Sequence, residues 1–418
     1  MNHFVYKDNE LFCEDVNIKD IAEEVGTPFY LYSHATLKRH FEAFDKSFEA
    51  APHIVCYSVK ANSNMAVLKL FQELGSGADI VSGGELFRAL RAGIDPAKIV
   101  YSGVGKRKDE LEYALDENIL MFNVESHQEL ELLDKTAAEK KLKARIALRV
   151  NPDVDPKTHP YISTGLKTNK FGIPVKQAIE EYEFAKELGN IEIVGVDCHI
   201  GSQLTEIQPF VDALKKVKQL ILTLSKKGIE IKYLDLGGGL GITYSDEDVP
   251  HPKEYGRAII EEIKDLGVTL IFEPGRVLVG NAGILVTKVL YTKEGEEKNF
   301  IISDAAMNDL ARPSLYGSFQ DVIPLRRDMR SYAVADLVGP VCESGDFIAK
   351  DREMPRFEQG DLVAVLSAGA YGFTMSSNYN SRTRPAEVMV KENMFEVVRK
   401  REDYESLVNG EAVPSFIG

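Results

Sequence analysis

Short apolar runs rich in β-branched residues alternate with longer helical patterns between residues 53 and 273. Segments between the runs, such as MAVLKLFQELG and FVDALKKVKQLILTLSKKG, place apolar residues three and four positions apart, which is typical of amphipathic helices. The runs are HIVCYS (53–58), DIVS (79–82), KIVYS (98–102), LMFNV (120–124), RIALRV (145–150), EIVGVDCH (192–199), YLDL (233–236) and TLIFE (269–273). Eight strand–helix alternations predict a parallel sheet closed into a (β/α)8 TIM barrel, with an open doubly wound sheet as the alternative.

The alternation ends near residue 280. The stretch ILVTKVLYTKEGEEKNFIISD is typical of two strands joined by a hairpin loop, and GDLVAVLSAGAY and AEVMVKENMFEVVRK add further strand-like runs. The opening HFVYKDNELFCEDVNI is also β-like. We therefore predict an N-terminal segment (1–30) that joins the β domain, a barrel (31–280) and a C-terminal β-rich sandwich or barrel domain (281–418).

Composition and charge restrict the class of protein. The 418 residues include 50 Lys and Arg against 65 Asp and Glu, a net charge of −15, so we expect no nucleic-acid or anionic-membrane partner. The acidic N-terminus does not resemble a signal peptide, and no apolar run approaches the roughly 20 residues that span a bilayer. The four cysteines lie far apart without metal-ligand spacing, which indicates reduced thiols, no metal site and a cytoplasmic location.

Unusual residues follow the predicted strands. In a (β/α)8 barrel the reactive groups lie at the C-terminal ends of the strands. The segments found there are Lys60, SGGE (82–85), NP (151–152), HIGSQ (199–203), GGGLG (237–241) and EPGR (273–276). Their positions predict one site at the C-terminal mouth of the barrel.

The loops after strands seven and eight are where such barrels bind phosphate. Gly238 and Gly239 offer backbone amides there, with Gly275 and Arg276 on the next loop, although a GGGxG run alone also suits a tight turn. Lys60 across the mouth is either a solvated lysine or an amine for an aldehyde. A phosphate site and an amine together favour pyridoxal phosphate.

Two further side chains suit that cofactor. Glu273 can face the pyridine nitrogen and keep it protonated, or it can be a surface acid beside Arg276. His199 can stack on the ring face, or it can be a core histidine with satisfied hydrogen bonds.

The chain resembles the diaminopimelate decarboxylases, within the alanine-racemase-fold (type III) group of pyridoxal-phosphate enzymes, over nearly its whole length. The motifs that carry the resemblance are YSVKAN (57–62), DIVSGGEL (79–86), HIGSQ, DLGGGLG (235–241), EPGR, DAAMNDLARPSLY (304–316), GPVCESGD (339–346) and GAYGFTMSSNYNSR (369–382). Eight motifs in the right order are very specific. One minor departure is Ala306, where the family commonly has Gly.

The resemblance implies a role for each matching residue. Lys60 is implied to be the Schiff-base lysine, His199 the ring-stacking residue, Glu273 the partner of the pyridine nitrogen and Cys342 the proton donor. The implied cofactor-binding residues are Lys60, Asp79, His199, Ser202, Gly238, Gly239, Glu273, Pro274, Gly275, Arg276 and Tyr371. The implied substrate-binding residues are Arg276, Arg312, Tyr316, Glu343 and Tyr371.

The implied reaction is the decarboxylation of meso-2,6-diaminopimelate at its D-centre to L-lysine and CO2, the last step of lysine biosynthesis. In this family the equivalents of Cys342 and Glu343 come from the neighbouring subunit, so a homodimer is also implied.

Related decarboxylases of ornithine, arginine or carboxynorspermidine are the alternative. Arg312 suits a distal carboxylate and would repel a bare distal amine, and Glu343 follows Cys342 where ornithine enzymes typically have Asp. Alanine racemase fits less well, because it places an arginine against the pyridine nitrogen. A non-catalytic cofactor-binding regulator is the remote alternative, since such relatives usually lose the lysine or the cysteine and this chain keeps both.

Overall fold

The computed structural model describes residues 2–154 and 170–417. The chain divides into two compact units, one of Met1–Leu37 with Val279–Gly418 and the other of Lys38–Leu278. Among the residues described, no helix combines the length and apolar character needed to cross a membrane.

The elements are numbered along the described chain. The strands are β1 (Phe4–Lys7), β2 (Glu10–Cys13), β3 (Val16–Asn17), β4 (Phe29–Ser33), β5 (His53–Ser58), β6 (Gly77–Ile80), β7 (Ile99–Tyr101), β8 (Met121–Val124), β9 (Ala144–Asn151), β10 (Ile173–Pro174), β11 (Ile191–Asp197), β12 (Tyr233–Asp235), β13 (Thr269–Phe272), β14 (Gly283–Glu294), β15 (Asn299–Ser303), β16 (Val322–Pro324), β17 (Tyr332–Val338), β18 (Phe347–Pro355), β19 (Leu362–Val365), β20 (Ala386–Lys391) and β21 (Met394–Arg399). The α-helices are α1 (Ile18–Val25), α2 (His34–Asp45), α3 (Met65–Glu73), α4 (Gly83–Arg91), α5 (Lys108–Asp116), α6 (His127–Lys140), α7 (Val175–Glu187), α8 (Gln208–Lys226), α9 (Pro252–Ile263), α10 (Arg276–Val279), α11 (Arg312–Tyr316) and α12 (Tyr404–Leu407).

The Lys38–Leu278 unit is a closed parallel barrel. Its strands follow the order β5-β6-β7-β8-β9-β11-β12-β13, and β13 pairs with β5 to close the sheet. The short β10 adds to β9 outside this cycle. The predicted (β/α)8 barrel is therefore confirmed, and each of the eight strand-like runs overlaps a barrel strand.

Helices α3, α4 and α6 begin directly after the loops at the strand ends, because side chains there satisfy the first free backbone N–H groups. Asn64 accepts from the N–H of Ala66 at 2.9 Å before α3. Ser82 Oγ accepts from the N–H of Glu85 at the start of α4, and Ser126 Oγ accepts from the N–H of Glu129 at the start of α6. These caps fix the loops of the barrel mouth.

An apolar layer fills part of the barrel interior. It is formed by buried side chains from several strands and includes Cys56, Val100, Met121, Ala147 and Ile271. Side chains on a strand repeat on the same face every two residues, so the next layer toward the C-terminal mouth comes two positions later on each strand.

The other unit is built on a mixed sheet. The path of the sheet is β18-β17-β15-β14-β4-β20-β21, with β19 and β16 pairing beside β14. The predicted hairpin is confirmed as the antiparallel pair β14–β15. Strand β4 lies between β14 and β20, and β1, β2 and β3 form a separate three-stranded sheet whose Leu11, Cys13 and Val16 pack in one core with β4 and β14.

Candidate active site

A ring of polar residues lies at the C-terminal ends of the barrel strands, two positions beyond the apolar layer. This polar ring consists of Ser58, Asp79, Ser102, Asn123, Arg149, Asp197, Asp235 and Glu273, one from each strand or the residue that follows it. All eight are buried. Burial of so many polar groups is costly unless they pair with one another or with a ligand.

Lys60 lies in a 3-10 turn (Val59–Ala61) directly after β5. Its Nζ donates to the buried carboxylate of Asp79 and lies 3.4 Å from Ser58 Oγ. Ser58 Oγ also donates to Asp79 at 2.7 Å, and its backbone N–H donates to the carbonyl of Pro274. The amine of Lys60 is therefore held at the mouth by a buried acid.

Glu273 and Asp235 form a buried pair of carboxyl groups. Asn123 Nδ2 donates to both, at 3.3 Å to Glu273 and 3.1 Å to Asp235, and Ser102 Oγ donates to Glu273 at 3.0 Å. Burial, followed by the charges of Asp235 and Asp79, raises the pKa of Glu273 well above its usual value. Burial raises the pKa of Asp235 to about 6. The pair therefore retains a proton at neutral pH, and we place it on Glu273.

His199 follows β11 and approaches the glycine loop. The backbone N–H of Gly238 donates to His199 Nδ1 at 3.2 Å, which leaves the proton of a neutral ring on Nε2. Burial lowers the pKa of His199 well below its usual value, and the positive charges of Arg149 and Lys60 lower it further. His199 is thus a neutral imidazole at the barrel mouth.

The GGG turn after β12 packs so closely that side chains are excluded. A Cβ on Gly238 would lie 2.3 Å from the carbonyl oxygen of Glu273. A Cβ on Gly239, whose φ is +111°, would lie 2.5 Å from the carbonyl oxygen of Gly201. Two amides of this turn donate within the protein, that of Gly237 to Asp235 Oδ1 and that of Gly238 to His199 Nδ1. The absence of Cβ atoms lets an anion approach the backbone of the turn closely.

Arg276 supplies the charge beside this glycine loop. Its buried guanidinium donates to Tyr244 Oη at 2.6 Å and to Ser202 Oγ at 3.1 Å. A Cβ on Gly275 would lie 3.0 Å from the Cβ atoms of Ala61 and Ser58, so that loop packs tightly against the turn that carries Lys60.

Four of the five predicted substrate-binding residues lie in the other unit, and three of these four, Arg312, Tyr316 and Tyr371, lie close together. The guanidinium of Arg312, at the start of α11, lies 5.7 Å from the ring centre of Tyr316 and 5.9 Å from that of Tyr371. Tyr371 has a positive φ of 56°, a conformation that non-glycine residues rarely adopt outside functional sites and turns. The structure therefore brings these three together.

Cys342 and Glu343 lie on the loop between β17 and β18. Cys342 is exposed, whereas Cys13, Cys56 and Cys198 are buried. Asp346 anchors this loop, because its carboxylate accepts from the backbone N–H of Val341 at 2.7 Å. The exposed thiol is therefore carried by a backbone of fixed shape.

Comparisons with known proteins decide the family. The family described as "Pyridoxal-dependent decarboxylase, pyridoxal binding domain" matches residues 34–280. The diaminopimelate decarboxylase of Vibrio cholerae is 55% identical over 409 residues, covering 97% of this chain and 98% of the relative. The chain belongs to the diaminopimelate decarboxylase family. The family predicted from the motifs is thus confirmed.

Other members of the diaminopimelate decarboxylase family agree. The Aquifex aeolicus enzyme is 53% identical over 404 residues, covering 96% of each chain. A crystal structure of the M. jannaschii enzyme in co-complex with L-lysine is 39% identical, covers 100% of both chains and has a TM-score of 0.95. The similarity of fold therefore covers the β-rich unit as well as the barrel.

The pyridoxal cofactor of the diaminopimelate decarboxylase family fits the barrel mouth. Lys60 offers an amine, and the closely packed glycine turn after β12, together with the guanidinium of Arg276, suits a phosphate. Glu273 offers a buried acid to a ring nitrogen. The individual residue roles implied by the resemblance stay predictions.

Several residues around the site were not predicted from the sequence. Asn123 and Asp235 surround Glu273, and both lie in segments already identified, LMFNV and DLGGGLG. Tyr379 and Asn380 contact Glu343 and Cys342, and both lie in the motif GAYGFTMSSNYNSR. The available signal in the sequence was that these four polar residues lie within the segments that carry the predicted site residues.

Proposed function

We propose that this chain decarboxylates meso-2,6-diaminopimelate at its D-configured centre with pyridoxal phosphate, releasing CO2 and L-lysine. The observation that carries the proposal is the match to enzymes of that name along nearly the whole chain. The L-lysine in the structure of the M. jannaschii relative is the product of this reaction, which supports the same conclusion.

Pyridoxal phosphate supplies an aldehyde that condenses with amines and a pyridine ring that accepts the electron pair left by CO2. Lys60 would provide the amine that holds the cofactor. Gly238, Gly239 and Gly275 would receive the phosphate, with Arg276 and Ser202 as charged and hydroxyl donors.

Glu273 would control the charge on the ring nitrogen. Its carboxyl holds a proton beside Asp235, and Asn123 and Ser102 fix its orientation. That proton can pass to a basic nitrogen placed against Glu273, leaving a carboxylate that stabilises the resulting cation. His199, neutral and fixed through Nδ1, would pack its face against the ring.

The distal amino-acid group of the substrate would be bound by residues of the other unit. Arg312, beside Tyr316 and Tyr371, presents a buried guanidinium that suits the distal carboxylate. Glu343 would bind the distal ammonium, and the exposed thiol of Cys342 would donate a proton to Cα after CO2 has left. A substrate without a distal carboxylate would lack the group that pairs with the planar guanidinium of Arg312.

We further propose that the enzyme is a homodimer of the cytoplasm. The resemblance assigns Cys342 and Glu343 to the active site of the neighbouring subunit. The four cysteines are all free, which suits a reducing compartment.

The decisive experiment measures CO2 release from meso-diaminopimelate, with ornithine, arginine and carboxynorspermidine tested in parallel. Diaminopimelate should have the highest kcat/KM by several orders of magnitude, and L-lysine should be the product detected. A higher kcat/KM for ornithine, arginine or carboxynorspermidine would contradict the proposal and identify that compound as the substrate. If the protein binds pyridoxal phosphate but decarboxylates none of the four substrates, the alternative of a non-catalytic cofactor-binding regulator would be favoured.

A further inference from the structure

Two side chains of one short segment contact the Cys342–Glu343 pair. Tyr379 Oη donates to Glu343 Oε2 at 2.7 Å. Asn380 Oδ1 accepts from the backbone N–H of Cys342 at 3.0 Å. The first contact orients a carboxylate and the second orients the peptide that carries a thiol.

The segment that supplies these contacts is itself held firmly. Asn380 has a φ of 56° and a ψ of 28°, the left-handed conformation that asparagine adopts more readily than most residues. Arg382 Nε donates to Asn308 Oδ1 at 2.9 Å, and the N–H of Ser377 donates to the carbonyl of Asn308 at the same distance. Both ends of the segment are therefore tied to the DAAMNDL motif.

The opposing loop is tied to the same motif. The carboxylate of Asp346 accepts from the N–H groups of Val341 and Met307, both at 2.7 Å. A Cβ on Gly339 would lie 2.5 Å from Ala306, so the start of the loop packs directly on this motif. Three motifs that are distant in sequence thus form one support for two reactive side chains.

We propose that Tyr379 and Asn380 are positioning residues, Tyr379 for the carboxylate that binds the distal ammonium of the substrate and Asn380 for the thiol that protonates Cα. This inference rests on the proposed function, which assigns those tasks to Glu343 and Cys342. A hydrogen bond to Oε2 leaves Oε1 available to the ammonium and restricts the rotamers of Glu343 before the substrate arrives.

The electrostatics support this arrangement. The hydrogen bond to Glu343 and the negative charge of Glu343 raise the pKa of Tyr379 above its usual value. The phenol therefore stays protonated and continues to donate over the whole working pH range.

The test of Tyr379 is a double-mutant cycle on the holoenzyme. Tyr379→Phe removes only the hydroxyl and should raise the KM for diaminopimelate about tenfold with kcat changed less than about twofold, since the variant lacks the hydrogen bond that orients the charged Glu343 before the substrate binds. Glu343→Gln should raise the KM at least as much. Adding Tyr379→Phe to Glu343→Gln should cause little further change, because the tyrosine acts through the carboxylate.

Tyr404→Phe is the matched control, since Tyr404 is an exposed tyrosine of the same unit. It should leave both kinetic constants unchanged. Additive effects of Tyr379→Phe and Glu343→Gln would overturn the positioning role of Tyr379 and leave the proposed function intact. An unchanged KM in Glu343→Gln would instead overturn the assignment of Glu343, and with it this inference.

The test of Asn380 distinguishes the role of its side-chain acceptor oxygen from the role of its left-handed backbone conformation. Asn380→Gly tolerates the positive φ but removes the acceptor, and it should lower kcat about threefold to tenfold with little change in KM or Tm. Asn380→Asp keeps an acceptor oxygen and should retain more of kcat than Asn380→Gly. Equal kcat values for the wild type and Asn380→Gly would overturn the role of Asn380.

Discussion

Glu273 shows how single residues of the barrel mouth depend on neighbours from other strands. Burial of Glu273 itself, followed by the charges of Asp235 and Asp79, raises its pKa, and Asn123 donates to both Glu273 and Asp235. Lys60 supplies the opposite charge to Asp79. The mouth therefore combines a cation, a neutral acid and anions in one network, in which a change at one residue alters the protonation of the others.

The first prediction concerns Lys60. In Lys60→Ala the amine is lost and Asp79 is left buried without its cation, so we expect no measurable turnover and loss of pyridoxal phosphate on gel filtration. The measurement is CO2 release together with the absorbance of retained cofactor. Lys69→Ala, on the exposed side of α3, is the control and should behave as the wild type. Retained activity in Lys60→Ala would remove the basis of the proposed chemistry.

The second prediction concerns Glu85, which accepts from the N–H of Val81 at 2.8 Å. Burial raises its pKa from 4.5 to about 7, with Lys60 acting in the opposite direction. Because the folded pKa is the higher one, the stabilisation by this group is complete below about pH 4.5 and is lost as the pH rises through about 7.

Glu85→Gln keeps the acceptor oxygen but cannot titrate. The Tm of the cofactor-free variant should therefore rise relative to that of the wild type between pH 5 and pH 8. Differential scanning fluorimetry across this range measures the difference, with the exposed Glu230→Gln as the control. Parallel Tm curves for the wild type and Glu85→Gln would contradict the raised pKa.

At the scale of elements, the strands and the loops after them were largely predictable, because local apolar runs and glycine-rich turns are visible in the sequence. The contacts between residues of the polar ring were not predictable, because residues such as Asn123 and Glu273 come from strands far apart along the chain and meet only when the barrel closes. The insertion of β4 between β14 and β20 was missed for the same reason. Long-range pairing leaves little trace in a local pattern.

The third prediction concerns the glycine turn. Gly239→Ala must accommodate both a φ of +111° and a Cβ 2.5 Å from the carbonyl oxygen of Gly201, so the turn has to move. We expect at least a tenfold weaker binding of pyridoxal phosphate, measured by titrating the cofactor-free protein. Gly267→Ala is the control, since Gly267 has a φ of +66° with open space around it.

Both glycine variants should lose about 1 kcal/mol of stability from backbone strain. Only Gly239→Ala should lose cofactor affinity as well. Equal affinities in the two variants would show that the turn does not bind the phosphate.

At the scale of the whole molecule, the predicted site residues come from two units. The residues assigned to the cofactor lie almost entirely in the barrel, whereas Arg312, Tyr316, Cys342, Glu343 and Tyr371 lie in the β-rich unit. The sequence motifs indicated both groups through their resemblance to a family. Physical reasoning from the residues alone reached only the barrel group, because an exposed cysteine on a β-domain loop has no local feature that indicates catalysis.

The last prediction tests whether two chains share each active site. Lys60→Ala and Cys342→Ala should both be nearly inactive as separate proteins. If Cys342 serves the site of the neighbouring subunit, random exchange in a mixture makes half of the dimers heterodimers, and each heterodimer has one site with both native residues. Mixing equal amounts after reversible dissociation should then restore about one quarter of wild-type activity. Size-exclusion chromatography must show a dimer under the same conditions, and a mixture that stays inactive would place Lys60 and Cys342 in the site of a single chain.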